Sequence, residues 1–455
     1  MVQTDTDALA ALRVVETELD RRWPESRIEP SLARIAALVD LLGMPQRSYP
    51  ALHVAGTNGK TSVARMLDAL LCGIGLRVGR YTSPHLQLVT ERISLHGQPI
   101  SPERYVEAYQ DIERYVAMVD AGSQVPMSKF EVLTGMAFAT FADAPVDAAV
   151  VEVGLGGSWD ATNVADAAVA TITPVAVDHV DYLGSDLAGI AAEKAGIIKP
   201  GSVAVLAEQP LEVAKVIAAR SIEVDATVAR EGREFGVLHR DIAVGGQQLR
   251  LQGLGGVYNE IFLPLYGEHQ ARNAVLALAA AEAFFGAGAG RSLDIDTVRE
   301  AFATVTAPGR LERVRTAPTV LLDGAHNPHG ARALAAALHD EFAFRKLVAV
   351  VGVMRDKDAA GILAELEPVV DEVVVTASSS SRAMDVDELA AVGLEVFGAQ
   401  RLQVEPQLPE AIEVAVTSAE EIAAGEDRIS GAGVLITGSV AMVGEARTLF
   451  GRQPR

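Results

Sequence analysis

The sequence is poor in cysteine, and Cys72 is the one thiol among its 455 residues. A lone thiol cannot form an internal disulfide or a cysteine cage around a metal, and such scarcity is typical of a reducing cytoplasm. The sequence also lacks an uninterrupted apolar run of about 20 residues, the length that a membrane helix needs. Its N-terminus has no apolar core of the export type. We therefore expect a cytoplasmic protein with no membrane partner.

Basic residues are also scarce. Lysine and arginine number 39 against 60 aspartates and glutamates, which gives a net charge of −21. Nucleic acids and anionic membranes repel a protein with this balance, so no nucleic-acid partner is expected. An anionic small molecule would need basic residues gathered locally at its site.

Apolar residues are plentiful by contrast, at 49% of the sequence, which is typical of α/β layers with buried parallel strands. Up to about residue 220, apolar segments alternate with segments of helical spacing, as in parallel βαβ units. A helix is expected to start at Ser31 as its N-cap and to end at Gly43. Further strands are predicted at 51–55, 76–81, 147–153, 168–173 and 202–207, with helices at 60–74, 101–120, 129–144 and 187–198.

Short alternating runs broken by glycine between about 226 and 266 predict a small antiparallel sheet beside the main one. The turn-forming pair Pro308-Gly309 marks a joint, after which the βα alternation restarts. We expect two domains, 1–306 and 307–455. The predicted fold class is α/β, with a mostly parallel sheet domain followed by a Rossmann-like C-terminal domain.

The clearest motif is an apolar strand that runs into the turn Gly56-Thr-Asn58-Gly59-Lys60 and then Thr61 and Ser62. Backbone N–H groups of such a turn cradle phosphate oxygens, the lysine neutralises charge, and a following hydroxyl reaches Mg²⁺. Val54 stands where a full P-loop motif has its first glycine, so a plain strand-to-helix turn is the alternative. The motif predicts that the first domain binds a nucleoside triphosphate.

Charged side chains follow several predicted strands. Glu152 ends an apolar strand before three glycines, and a buried carboxylate there is stabilised either by a cation or by a neighbouring arginine. Asp178 and His179 follow the next strand, where the alternatives are a metal or phosphate role and a structural histidine. In the second domain, Asp323 and His326 could reach the sugar or phosphates of a nucleotide, or could simply form a turn.

Lys194 lies near the end of a helix. Taken alone, it would be a basic residue that complements the helix dipole.

Together these motifs resemble the folylpolyglutamate synthase/dihydrofolate synthase family, a branch of the Mur ligase superfamily of ATP-dependent amide-bond ligases. The resemblance covers almost the whole chain and keeps the family's order of motifs. The matching segments are 56–60, 81–86, 152–157, 160–163, 178–179, 193–199, 269–274, 308–310 and 323–329. Thr61 departs from a usual glycine, and Ser158 from a common arginine.

The resemblance implies a role for each matching residue. Lys60, His179 and Lys194 would be catalytic. ATP would be bound by Asn58, Gly59, Lys60, Thr61, Asn273, Arg310 and Asp323. Two Mg²⁺ ions would be held by Ser83, Glu152, His179 and Lys194, with Lys194 carbamylated. The pterin end of the substrate would contact Glu29, Pro30, Ser31, Ser128, Lys129, Phe130, Glu131, Trp159, Asp160 and Ala161.

The implied reaction is ATP-driven ligation of L-glutamate to dihydropteroate, to folates or to both, through an acyl phosphate. Two alternatives are a cell-wall Mur-type amino-acid ligase and a non-catalytic nucleotide-binding subunit. The first usually carries a separate N-terminal domain, whereas only about fifty residues precede this turn. We expect a monomer.

Overall fold

The computed structural model describes residues 2–23, 29–286, 290–421 and 431–454. The first sheet has eight strands, and it is parallel except for the hairpin at one edge. In spatial order its strands are β4 (Gln98–Pro99), β3 (Ile93–Leu95), β2 (Val78–Tyr81), β5 (Ala148–Glu152), β1 (Ala51–Ala55), β6 (Val169–Ile172), β7 (Val203–Leu206) and β8 (Thr227–Arg230).

Helices cover both faces of the first sheet, because alternate residues of its strands point to opposite sides. Val150 packs into one apolar cluster and Val151 into another on the opposite face. The helices of this part are α1 (Val2–Asp20), α2 (Ala33–Leu41), α3 (Lys60–Gly73), α4 (Pro102–Gly122), α5 (Lys129–Asp143), α6 (Val180–Leu183), α7 (Leu187–Ala195), α8 (Leu211–Glu223), α9 (Glu268–Phe284) and α10 (Ile295–Ala303).

The small sheet is antiparallel, as predicted, and contains β9 (Gly236–Ala243), β10 (Gly246–Gln252) and β11 (Val257–Leu263). Its buried side chains, among them Leu249 and Ile261, share one core with α3 and α9.

The second sheet is parallel apart from one edge strand, as expected of a Rossmann-like domain. Its strands in spatial order are β12 (Glu312–Thr316), β13 (Thr319–Leu322), β17 (Ala432–Thr437), β14 (Lys346–Val351), β15 (Glu372–Val375) and β16 (Leu402–Val404). Its helices are α11 (Pro328–Glu341), α12 (Ala359–Leu366), α13 (Val386–Phe397), α14 (Leu408–Glu421) and α15 (Val440–Leu449). The domain boundary near residue 307 stays a prediction.

Three local expectations were wrong. β8 pairs in parallel with β7, although the sequence placed its residues in the antiparallel stretch, because α8 carries the chain back across the sheet. The edge strands β3, β4 and β12 were not predicted. Ser31 is not the N-cap of α2, which is Leu32, although the Ser31 hydroxyl still accepts a hydrogen bond from the Ala33 N–H at 3.1 Å.

Among the described residues, no helix is long and apolar enough to cross a membrane.

A buried ion pair joins α3 to β2 and supplies a test of the packing. Arg80 Nη1 donates to Asp68 Oδ2 at 2.5 Å, and both side chains are almost wholly buried. Replacing Asp68 by alanine leaves a buried guanidinium without its counter-charge, so we expect a loss of about 3–5 kcal/mol in the free energy of unfolding. Urea denaturation measures this loss.

The exposed pair between Arg77 and Asp147, at 2.7 Å, is the matched control. Asp147→Ala should change the unfolding midpoint far less, because water replaces the lost partner. Equal losses for the two variants would contradict the importance of burial.

Candidate active site

The carboxyl ends of the central strands of the first sheet face a cavity of about 1230 Å³. Residues after β1, β5 and β6 border it on one side, and residues after β13 and β14 border it on the other. Such a crevice beyond the carboxyl ends of parallel strands is where α/β sheets bind ligands.

The turn after β1 is shaped by two glycines. Gly56 has φ +143°, and a Cβ atom there would lie 1.8 Å from Thr173 Oγ1. Gly59 is the N-cap of α3 with φ +90°, and a Cβ atom there would lie 2.7 Å from Asn273 Oδ1. Side chains are therefore excluded at both positions. The first N–H groups of α3, which have no partner within the helix, are left at the cavity as an anion site.

Lys60 folds back onto this turn. Its Nζ donates to the carbonyl oxygens of Gly56 and Thr57, both at 3.1 Å. Burial lowers the pKa of Lys60, and the nearby carboxylates of Glu152 and Asp178 act in the opposite direction. The ammonium is thus held beside the anion site by weak acceptors that a phosphate could replace.

Glu152 lies at the end of β5 and is 1% exposed. Its oxygens accept hydrogen bonds from the Thr61 hydroxyl at 2.8 Å and from the Ser83 N–H at 3.3 Å. Burial raises the pKa of Glu152, and the charge of Lys60 counteracts that rise.

The oxygen atoms around Glu152 are suitable ligands for Mg²⁺. A carboxylate beside the hydroxyl residues Thr61 and Ser83 offers the oxygen ligands that this ion prefers. Within the described ranges, no group of three or more His, Cys, Asp or Glu side chains could hold a metal. This fits an ion that binds through one or two carboxylates and shares the rest of its ligands with substrate phosphates and water.

Asp178 links the two sides of the cavity. It accepts hydrogen bonds from Lys357 Nζ at 2.6 Å and from Asn327 Nδ2 at 2.9 Å. Burial alone would raise the pKa of Asp178, but in the acid range where this carboxylate titrates, protonated His179, the ammonium of Lys357 and protonated His326 outweigh burial and lower it. Burial lowers the pKa of His179 to about 3, so this imidazole is neutral near pH 7.

Sequence reasoning missed Lys357, which lies in a charged loop after β14. The sequence does contain a signal for Lys357, because a charged cluster directly after an apolar strand is the pattern that identified Asp178.

Lys194 lies behind the turn and does not border the cavity. It is 4% exposed, and its Nζ donates to the Gly56 carbonyl at 2.9 Å. Burial, assisted by the charge of Lys60, lowers its pKa to about 7. A free ammonium cannot hold a cation, so the predicted metal role would require carbamylation and a new side-chain position.

Residues predicted to contact ATP come from both sides of the cavity. Asp323 follows β13, and its carboxylate accepts hydrogen bonds from the Leu311 and Ala325 N–H groups, both at 2.8 Å. Burial raises its pKa, and Arg310 opposes that rise. Asn273, on α9, donates to Gln270 Oε1 at 3.2 Å. The structure therefore brings Asn273, Arg310 and Asp323 to one cavity with the turn.

Most residues predicted to contact the pterin border the same cavity, namely Glu29, Ser31, Ser128, Phe130, Glu131, Trp159, Asp160 and Ala161. Pro30 and Lys129 do not border it. Lys129 instead donates to Glu16 and Asp20 of α1, at 2.8 and 2.7 Å. Arg34 was missed. It lines the cavity and pairs with Glu131 at 3.0 Å, a tertiary contact with no signal in the sequence.

Family comparison covers both halves of this arrangement. The Mur ligase middle domain matches residues 54–281, and the Mur ligase glutamate ligase domain matches residues 309–440. The chain is 60% identical to a dihydrofolate synthase/folylpolyglutamate synthase of Mycobacterium tuberculosis over 99% of this chain and 96% of that protein. The chain belongs to this family of Mur ligases.

Solved structures agree with this assignment. A Mycobacterium tuberculosis folylpolyglutamate synthase complexed with ADP superposes with a TM-score of 0.94 at 60% identity, covering 98% of this chain and all of that one. The Escherichia coli FolC protein in complex with DHPP and ADP gives a TM-score of 0.84 at 30% identity, covering 97% of both chains. This Mur ligase is an enzyme, and these relatives do not favour a cell-wall ligase or a silent subunit.

The depressed pKa of Lys194 predicts a pH effect on stability. Between about pH 7 and 10 the unfolded chain holds a proton on this amine that the folded chain lacks, so folding becomes more favourable as pH rises. Below pH 7 the full cost of burying an ammonium remains. We therefore expect Lys194→Met to have a higher free energy of unfolding than wild type. The difference between the two proteins should be largest at pH 6 and should shrink steadily toward pH 10.

Urea denaturation in bicarbonate-free buffer measures this difference, with the exposed Lys215→Met as control. A difference that stays constant with pH for Lys194→Met would contradict the interpretation.

Proposed function

We propose that this ligase joins L-glutamate to dihydropteroate or to a folate through an acyl phosphate, with release of ADP and phosphate. The observation that carries the proposal is a single cavity with two kinds of lining. One part is lined by the N-terminus of α3 and Lys60, and the other part, here called the pterin end, is lined by the aromatic rings of Phe130 and Trp159. A carboxylate attached to a flat ring system would thus meet a bound triphosphate inside one enclosure.

The nucleotide phosphates bind at the turn of residues 56–60. Free N–H groups at the start of α3 donate to phosphate oxygens, and Lys60 exchanges its two carbonyl acceptors for phosphate. Asn273, Arg310 and Asp323 contact the rest of ATP.

Glu152, Ser83 and His179 would hold Mg²⁺, with the Thr61 hydroxyl close to the same carboxylate. A bound Mg²⁺ ion would supply positive charge to offset the charge that develops on the transferred phosphoryl group. Lys194, as a carbamate, would help to hold a second ion. Its buried amine suits this modification because a pKa of about 7 leaves a substantial neutral fraction at physiological pH.

The acceptor's carboxylate first takes the γ-phosphoryl group of ATP, which gives the acyl phosphate and releases ADP. The amine of L-glutamate then attacks the acyl carbon, and phosphate leaves from the tetrahedral intermediate. The amine must be neutral to attack, and a nearby carboxylate accepts its proton, because His179 uses its one free nitrogen lone pair to hold the metal. Contacts such as Asn58 to Asn327, at 3.2 Å, close the cavity between its two sides and keep water from the acyl phosphate.

Addition of the first glutamate to dihydropteroate and of later glutamates to folates are both proposed. The residues at the pterin end support the first activity, and the same carboxylate chemistry serves the second. The monomeric state and the cytoplasmic location stay predictions.

Loss of the Lys60 ammonium should remove the main positive charge at the phosphate site. We expect Lys60→Met to lower ADP release by about 10²- to 10³-fold, the scale of removing one preorganised charge-stabilising group. A coupled assay with ATP, Mg²⁺, L-glutamate and dihydropteroate measures it, with Lys215→Met as the control. If wild-type enzyme releases ADP at a rate that does not depend on L-glutamate or on the acceptor, the proposed ligation is refuted.

Acceptor preference is tested by dihydropteroate and tetrahydrofolate in parallel assays with wild-type enzyme. We expect glutamate-dependent ADP release with both, and a product mass increased by one or more glutamyl residues. Activity with tetrahydrofolate alone would restrict the enzyme to chain extension and contradict the proposed first addition.

A further inference from the structure

A buried histidine lies on the strand that leads to the nucleotide turn. His53 is in the middle of β1 and is fully buried. Its Nε2 lies 2.8 Å from Thr162 Oγ1, and its Nδ1 is buried without a hydrogen-bond partner among the described residues. Its neighbours along the strand, Leu52 and Val54, pack into the apolar cluster below the sheet. A polar ring here is costly unless it performs a specific task.

The Thr162 hydroxyl continues the chain of hydrogen bonds to Asp160. It donates to Asp160 Oδ1, which also accepts from the Thr162 N–H at 3.0 Å. Asp160 Oδ2 accepts from the Leu155 N–H at 2.9 Å. Burial raises the pKa of Asp160, and the hydrogen bonds from Thr162 and Leu155 oppose that rise. Both carboxylate oxygens receive hydrogens from the protein, an arrangement that favours the ionised aspartate.

The number of available hydrogens determines which group donates in each hydrogen bond between His53, Thr162 and Asp160. A hydroxyl has one hydrogen, and that of Thr162 is given to Asp160, so its oxygen accepts from His53. His53 must then be the neutral tautomer with hydrogen on Nε2 and a bare Nδ1. The reverse direction would leave a buried N–H on Nδ1 without an acceptor, which costs more than an unused lone pair. Burial, with a smaller effect of Lys199, lowers the pKa of His53 to about 3, in keeping with a neutral ring.

The chain ends at the floor of the pterin end of the cavity. Leu155 lies between Gly154 and Gly156, and two aromatic rings rest directly on these glycines. A Cβ atom on Gly154 would lie 2.5 Å from Phe130 Cζ, and one on Gly156 would lie 2.9 Å from Trp159 Cζ2. Any shift of the Leu155 backbone would therefore displace the rings that line this part of the cavity.

We propose that His53 and Thr162 are positioning residues for acceptor binding, which hold Asp160 and the 154–156 floor in place through a one-way chain of hydrogen bonds. The inference rests on the proposed function, because it assigns the pterin of dihydropteroate or a folate to this end of the cavity. It adds a role for two buried residues that do not line the cavity.

Steady-state kinetics with Thr162→Val tests the chain, because valine keeps the shape and removes the hydroxyl. We expect KM for dihydropteroate to rise about tenfold, as for loss of one hydrogen bond to a buried charged group. KM for ATP and for L-glutamate should change by less than about twofold, and Thr162→Ser should restore the acceptor KM. The matched control is Thr171→Val, a buried strand threonine whose hydroxyl has no partner.

Three outcomes would overturn the inference: an unchanged acceptor KM in Thr162→Val, an equal rise in KM for ATP, or no rescue by serine. Wild-type enzyme without acceptor-dependent ADP release would instead overturn the proposed function.

A second measurement remains decisive if Thr162→Val fails to fold. In wild-type protein labelled with ¹⁵N-histidine, the ring signal that is lost in His53→Gln should be that of a neutral imidazole with hydrogen on Nε2, and it should not titrate between pH 5.5 and 8. A hydrogen on Nδ1, or titration in this range, would overturn the direction of the chain.

Discussion

The Asn327 side chain links the first sheet to the second sheet, and the shape of the site depends on this link. Its Oδ1 caps α11 by accepting from the Gly330 N–H at 2.8 Å, and it also accepts from Asn58. Its Nδ2 donates to Asp178 and to Asn58, at 2.9 and 3.2 Å. One amide thereby fixes the nucleotide turn and the loop after β6 against a helix of the second sheet. An amide can do this because it both donates and accepts, which a carboxylate cannot.

Buried charge is the second constraint. Glu152 and Asp178 would be costly in an apolar interior, and so would Lys60 and Lys357. Lys357 stabilises the charge of Asp178, as the lowered pKa of Asp178 indicates, and Lys60 and Glu152 each oppose the effect of burial on the other's pKa. A chain with a net charge of −21 thus presents local positive charge at the end of the cavity where phosphates would bind. When the protein folds, these ammonium groups are already desolvated and oriented by their carboxylate partners. An incoming anion would therefore meet preorganised positive charge.

Much of this arrangement could be predicted from the sequence. Buried parallel strands are continuous apolar runs, and Glu152 and Asp178 stood out because they follow such runs. The hairpin strands β3 and β4 are only three and two residues long, too short for a recognisable pattern. The pairing of Asp178 with Lys357 spans 179 residues and depends on how two sheets approach each other. Periodicity within one segment contains no information about such an approach.

The two central strands explain how one site could handle two reacting groups. β1 leads into the turn at Gly56, where the nucleotide is proposed to bind, and three residues earlier it carries His53, whose ring contacts Thr162 beside the proposed acceptor site. β5 ends at Glu152 beside the nucleotide turn and continues directly into the floor at 154–156. Since β1 and β5 are paired, the distance between the two ends of the cavity is set by the rigid sheet rather than by loops. A fixed distance of this kind favours transfer between two bound groups, because little freedom remains to be lost when they react.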